Sequence, residues 1–210
     1  FAEGKRDIDR SLQNHAGWAG NGSVTINLKK PAGQALAREL VAQCDVVIEN
    51  FGPGVMDKLG LGYAELCKVR PDLIMASMPA AGLTGPLRHI RTYGMSLSAI
   101  TGLDSVTGYL DGPPIPMENA FADPVGGVIG ALAALIGLCH RDRTGRGQIV
   151  DTSLFEAALQ QTYWHAASFF ATGQSPVPLG SAHILTAPYQ AFRANDGYVN
   201  IGGANQANWE

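Results

Sequence analysis

The sequence predicts an α/β fold: a parallel sheet with flanking helices, followed by the start of a smaller antiparallel domain. Three observations predict it. Short apolar runs at 23–28, 45–50 and 73–78 are separated by segments with helical spacing. Strand–helix–strand at that spacing means right-handed crossovers and a parallel, Rossmann-like sheet. A stretch rich in Gly, Ala and Leu, 125–139, has no polar face and reads as a core helix buried on most sides. Near the end, 189–192 and 198–201 flank Asn195-Asp196-Gly197, which is hairpin chemistry and belongs outside the parallel sheet.

The elements follow in order. The first twenty residues are polar and show no period. Residues 23–28 alternate polar and apolar like a strand. Pro31 is placed to open a helix in which Leu36, Leu40 and Val41 fall at helical spacing. Residues 45–50 are apolar and β-branched, as a buried parallel strand requires. Phe51-Gly52-Pro53-Gly54 breaks that strand, and a helix from Val55 and a short one over 63–69 follow. Residues 73–78 form the next strand, 80–86 a Gly/Pro loop, and 93–103 a helix. A second loop over 107–116 turns at Asp111-Gly112-Pro113-Pro114. Asp123-Pro124 then opens the long helix, which Gly145 and Gly147 close. Residues 148–151 read as a strand, 153–171 as a second long helix and 176–181 as a linker.

Composition narrows the function. The chain has 210 residues, 46% of them hydrophobic, and a net charge of −3. That excludes a disordered chain. Fifteen Lys and Arg against eighteen Asp and Glu, with no basic run, argue against nucleic acid as a partner. The 125–139 stretch is too short to span a bilayer, so no membrane partner is expected. Cys44, Cys67 and Cys139 form no CxxC pair, which points to a reducing cytoplasm. The five histidines are scattered, with no HxxxH or HExxH spacing, so no metal is expected.

In an open α/β sheet the ligand belongs at the carboxyl ends of the strands. Two places there carry chemistry. Glu49-Asn50-Phe51-Gly52-Pro53-Gly54 offers an amide, an aromatic face and two glycines that let a ligand approach the backbone; a tight turn with a packed Phe accounts for the same residues. Asp123 is a carboxylate at the head of an apolar helix, where it could also serve only as the N-cap. The glycines at 126, 127 and 130 lie inside that helix and read as close packing.

These residues resemble the class III CoA-transferases, the group of formyl-CoA transferase, crotonobetainyl-CoA:carnitine CoA-transferase and the related α-methylacyl-CoA racemases. The matching segments are 24–33 (VTINLKKPAG), 45–60 (DVVIENFGPGVMDKLG), Thr107-Gly108 with 111–114 (DGPP), Ala122-Asp123 and 143–148 (RTGRGQ). Gly180-Ser181-Ala182-His183 and Ala187-Pro188-Tyr189-Gln190 complete the match. The resemblance implies an interior fragment of a longer chain. It would comprise a partial CoA-binding large domain (1–152), a linking helix (153–179) and the beginning of a small domain (180–210). It also implies a homodimer of interlocked subunits, with an acyl-CoA donor and a carboxylic acid acceptor as substrates.

The resemblance makes Asp123 the nucleophile, passing through a mixed anhydride and an aspartyl-CoA thioester. It places coenzyme A against Ile26 and Lys29 at the adenine end, Asn50 and Phe51 at a strand end, and Lys58, Arg91 and Tyr93. Lys58 stands where many members carry Arg, which replaces a bidentate phosphate contact by a point charge. Solvated surface is the alternative for Lys29, Lys58 and Arg91. Two positions depart from the family pattern: Gly94 replaces an acid, and 180–183 is poor in glycine where the family has a glycine-rich loop. Glu156, one turn into a helix, reads as structural. Two other readings stay open. One is racemase or epimerase chemistry, which needs a His where Tyr93 stands. The other is a non-catalytic CoA-binding fragment.

Overall fold

The computed structural model describes residues 16–117, 119–203 and 205–208. The first fifteen residues of the expected large domain, His15 among them, and the last two of the expected small domain lie outside the described residues. Among the described residues two sheets are present. Strand β1 (Val46–Glu49) pairs parallel with β2 (Ile74–Ser77), and β2 with β3 (Gln148–Asp151), in the order β1-β2-β3. Strands β4 (Tyr189–Arg193) and β5 (Tyr198–Gly202) make a separate antiparallel hairpin, as the turn chemistry predicts.

Helix α1 (Pro31–Val41) begins on Pro31, and α2 (Val55–Lys58) and α3 (Tyr63–Leu66) follow β1. Leu61, Leu66, Leu73 and Met75 form a buried cluster on this face, joined by Leu28, Ala37, Val41 and Val47. Residues 23–28 form no strand, contrary to expectation. Among the described residues the outer edge of β1 stays unpaired, and this segment makes no ladder with it. Its carbonyls go elsewhere: Asn27 O accepts Lys30 N–H, and Leu28 O accepts Gln34 Nε2 at 3.1 Å. Its apolar side chains, Val24, Ile26 and Leu28, instead wall a cavity of about 350 Å³ with α1 and Val47.

The expected helix over 93–103 is divided into α4 (Gly94–Ile100) and α5 (Leu103–Val106) at Gly102. The second long helix is likewise divided. It runs as α7 (Leu154–Leu159), a 3-10 turn (Gln160–Thr162) and α8 (Tyr163–Thr172).

Helix α6 (Ala122–Thr144) departs further from expectation. Its buried face is a stripe of small residues: Ala122, Gly126, Gly130, Ala134 and Gly137. A Cβ on Gly137 would stand 2.9 Å from Ile74 Cγ2 in β2. The opposite face is exposed, Val128 at 70% and Leu135 at 59%. Small side chains bring the helix backbone close to the sheet and send the large ones outward, so an apolar pattern without a polar face does not imply burial all round. At 23 residues the helix is also long and apolar enough to cross a membrane by length and composition, though its small-residue face is occupied by the sheet and α7.

The opposite end of the sheet is tied by charge. Asp45 Oδ1 accepts from Arg70 Nη2 and Arg141 Nη1, each at 3.0 Å, and Arg70 Nε lies 2.7 Å from Asp72. This joins the amino ends of β1 and β2 to the last turn of α6. Gly145, left-handed at φ 69°, ends α6 there and donates to Arg141 O at 2.7 Å. The carboxyl ends of the strands carry the loops.

Candidate active site

The candidate site is built from the exits of β1 and β2. After Glu49 the chain turns through Asn50 and Phe51, both exposed, into Gly52 and Gly54. Gly54 adopts φ 77° as the residue preceding α2, a conformation that costs a side chain heavily. This delivers Lys58 to the last turn of α2. Beyond β2, Met78 and Ala80 pack with Leu97 of α4, Ala122 of α6 and Leu154 and Ala158 of α7. Ala122 is fully buried in that cluster, which places Asp123 over the carboxyl end of β2.

Asp123 is not the N-cap of α6. That position is Phe121, with no side-chain capping bond, and Asp123 lies within the first turn. The turn is closed by backbone alone, with Asp123 N–H donating to Ala120 O at 2.9 Å. The Asp123 carboxylate instead leans on Gly94, the first residue of α4. Partial desolvation there raises its pKa above the ordinary aspartate value. Tyr93 precedes Gly94 and is 87% exposed.

The structure therefore brings Tyr93 and Asp123 together around Gly94, and carries Asn50, Phe51 and Lys58 on one short excursion after β1. Ile26 lies in the wall of the cavity beside α1, together with Met56 of α2. Lys29, Lys58 and Arg91 are exposed, and none forms an ion pair among the described residues. Glu156 sits in the first turn of α7, where its backbone N–H is capped by Ser153 Oγ at 3.1 Å. The 180–183 segment is held against the 107–110 loop, with Gly180 N–H donating to Gly108 O at 3.1 Å. Among the described residues no group of three His, Cys, Asp or Glu side chains could hold a metal.

Two polar residues at the strand ends, Glu49 and Asp151, are assigned no role by the sequence, although Glu49 opens the Asn50–Phe51 motif. Glu49 and Asp151 each accept a loop N–H, from Phe51 and Leu83 respectively. The signal available was positional: a polar residue closing an apolar parallel strand.

Asp123 thus lies in the first turn of α6 near the carboxyl end of the parallel sheet, the end at which open α/β folds place their ligands. The sequence comparison is specific: the model of CoA-transferase family III matches residues 12–210, and the chain belongs to that family. It is 37% identical over 183 residues to the succinyl-CoA:glutarate CoA-transferase of Mus musculus, covering 87% of this chain and 42% of that one. It is 39% identical over 178 residues to the acetyl-CoA:oxalate CoA-transferase of Acetobacter aceti, covering 84% and 46%. The crystal structure of a CaiB/BaiF family protein from Brucella suis superposes with a TM-score of 0.76 at 38% identity, over 85% of this chain and 47% of that one. The chain thus spans less than half the length of these relatives.

Proposed function

We propose that the whole protein transfers coenzyme A from an acyl-CoA to a free carboxylic acid, with Asp123 as nucleophile. The observation that carries this reading is the Asp123 carboxylate, uncapped, partly desolvated and open to a ligand at the strand ends.

Asp123 attacks the thioester carbonyl, forming a mixed anhydride and releasing the CoA thiolate. The aspartyl carbonyl of that anhydride takes the thiolate back, giving an aspartyl-CoA thioester and freeing the donor acid as its carboxylate. The acceptor carboxylate then attacks the same aspartyl carbonyl, expelling the thiolate and forming a second anhydride. Thiolate attack on the acceptor's acyl carbonyl yields the new acyl-CoA and restores the Asp123 carboxylate. Each tetrahedral step develops an oxyanion, which backbone N–H groups can stabilise.

Asn50, Phe51, Lys58, Arg91 and Tyr93 are read as contacts to CoA, with Ile26 and Lys29 at its adenine end; three unpaired cations suit an anionic nucleotide. The exposed apolar face of α6 supports a homodimer, and three free cysteines support a cytoplasmic location. The relatives' names make succinyl-CoA with glutarate and acetyl-CoA with oxalate the first pairs to assay. In the test, Asp123→Asn abolishes CoA-ester exchange while leaving CoA binding intact, and hydroxylamine during turnover converts Asp123 to a hydroxamate. Near-normal exchange by Asp123→Asn, or a label on Glu156, overturns the assignment.

A further inference from the structure

The register sets Glu49, Ser77 and Asp151 side by side at the carboxyl end of the sheet. Residues paired this way share one face. Glu49 is only 7% exposed, and a buried carboxylate needs hydrogen bonds to be tolerated. Its Oε2 accepts the Phe51 N–H at 2.8 Å, within the range of charge-assisted bonds. Asp151 does the same for the next loop, both of its oxygens lying 3.0 Å from Leu83 N.

We propose that Glu49 is a positioning residue of the CoA site, holding the Asn50–Phe51 turn ready for the ligand. This rests on the reading of Asn50 and Phe51 as CoA contacts. The turn leaves an edge strand, carries two exposed side chains, and runs directly into Gly52 and Gly54. The next backbone bond, Val55 N–H to Gly52 O, lies beyond both contact residues and is long at 3.2 Å. Without the Glu49 acceptor the Phe51 amide is free, and CoA must order the turn on binding, at a cost in affinity. What the position requires is an acceptor oxygen at that reach, so glutamine serves in place of glutamate.

The test is calorimetric titration of the whole protein with free CoA, together with hydrogen exchange at the Phe51 amide. Glu49→Ala is expected to raise the CoA Kd about tenfold and to speed Phe51 exchange at least as much. Glu49→Gln is expected to stay within about twofold of wild type on both readouts. Should Glu49→Ala fail to fold, Glu49→Met fills the same space without an acceptor and carries the comparison. Unchanged Kd in the variants lacking an acceptor overturns the proposal, as does a Gln variant as weak as Ala. If the wild-type protein does not bind CoA, the functional reading fails. The exchange arm still decides the brace in that case, because an unprotected Phe51 amide in the wild type refutes it.

Discussion

A Cβ built on Gly94 would stand 2.6 Å from Asp123 Oδ2 and 2.6 Å from the Ala120 Cβ. The carboxylate therefore occupies space that any side chain at position 94 would claim. Residue 94, which departs from the acid expected by resemblance, is the floor on which Asp123 rests. Gly94→Ala is expected to displace the carboxylate and lower kcat about 100-fold, the scale for an ångström of misplacement. CoA affinity should fall much less than kcat, because of the proposed CoA contacts only Tyr93 adjoins Gly94. Steady-state kinetics beside a CoA titration would check it.

The raised pKa of Asp123 gives a sign to two pH effects. If Asp123 is the nucleophile proposed, it must be ionised, so the acid limb of kcat/KM should lie above the usual aspartate range, with rate rising as pH rises through it. Stability runs the other way. A carboxyl whose folded pKa exceeds its unfolded value contributes fully below the unfolded pKa, and the contribution is lost as pH rises through the folded one. Asp123→Asn carries no charge and breaks no capping bond, so at neutral pH it should be at least as stable as wild type. Denaturant titrations of the two proteins at pH 4 and pH 7 would show the difference growing with pH.

Ser77 is 1% exposed, and its hydroxyl finds no hydrogen-bond partner among the described residues. An unsatisfied buried hydroxyl costs about 1–3 kcal/mol. Ser77→Ala removes that group and little volume, and should raise the unfolding free energy by about 1 kcal/mol. Equilibrium unfolding in urea would measure it, and a loss of stability would show that the hydroxyl is satisfied.

Gly137 meets Ile74 Cγ2 and, at 3.4 Å, Val150 Cγ2 once a Cβ is added. Gly137→Val should force α6 off the sheet and cost about 1–3 kcal/mol by overpacking. Gly127, on the same helix with open space before it, supplies the control. Gly127→Ala should be neutral or stabilising by about 1 kcal/mol, because glycine is a poor helix residue. Thermal melts of both variants would separate packing from propensity.

Local pattern alone determined several elements. The runs at 45–50, 73–78 and 148–151 each became a parallel strand, although only β2 is buried on both faces and Ile48 of β1 and Ile149 of β3 are exposed. Pro31, Gly54 and Gly145 set helix boundaries through their own backbone preferences, which need no neighbour. Asp123 is singled out as a candidate by its place at the start of an apolar helix and by motif resemblance, though it sits within the first turn and not at the N-cap. What the tertiary structure decided was relational. Residues 23–28 alternate like a strand but form none, since a ladder needs a second backbone at hydrogen-bonding distance. Helix α6 buries Gly126, Gly130 and Gly137 and exposes Leu132 and Leu135, because the separation of helix and sheet depends on which face is small. The Asp123 carboxylate rests on Gly94, 29 positions away, and Glu49 reaches back over its own turn to Phe51. Those contacts depend on how α4, α6 and β1 converge in space, which no local period encodes.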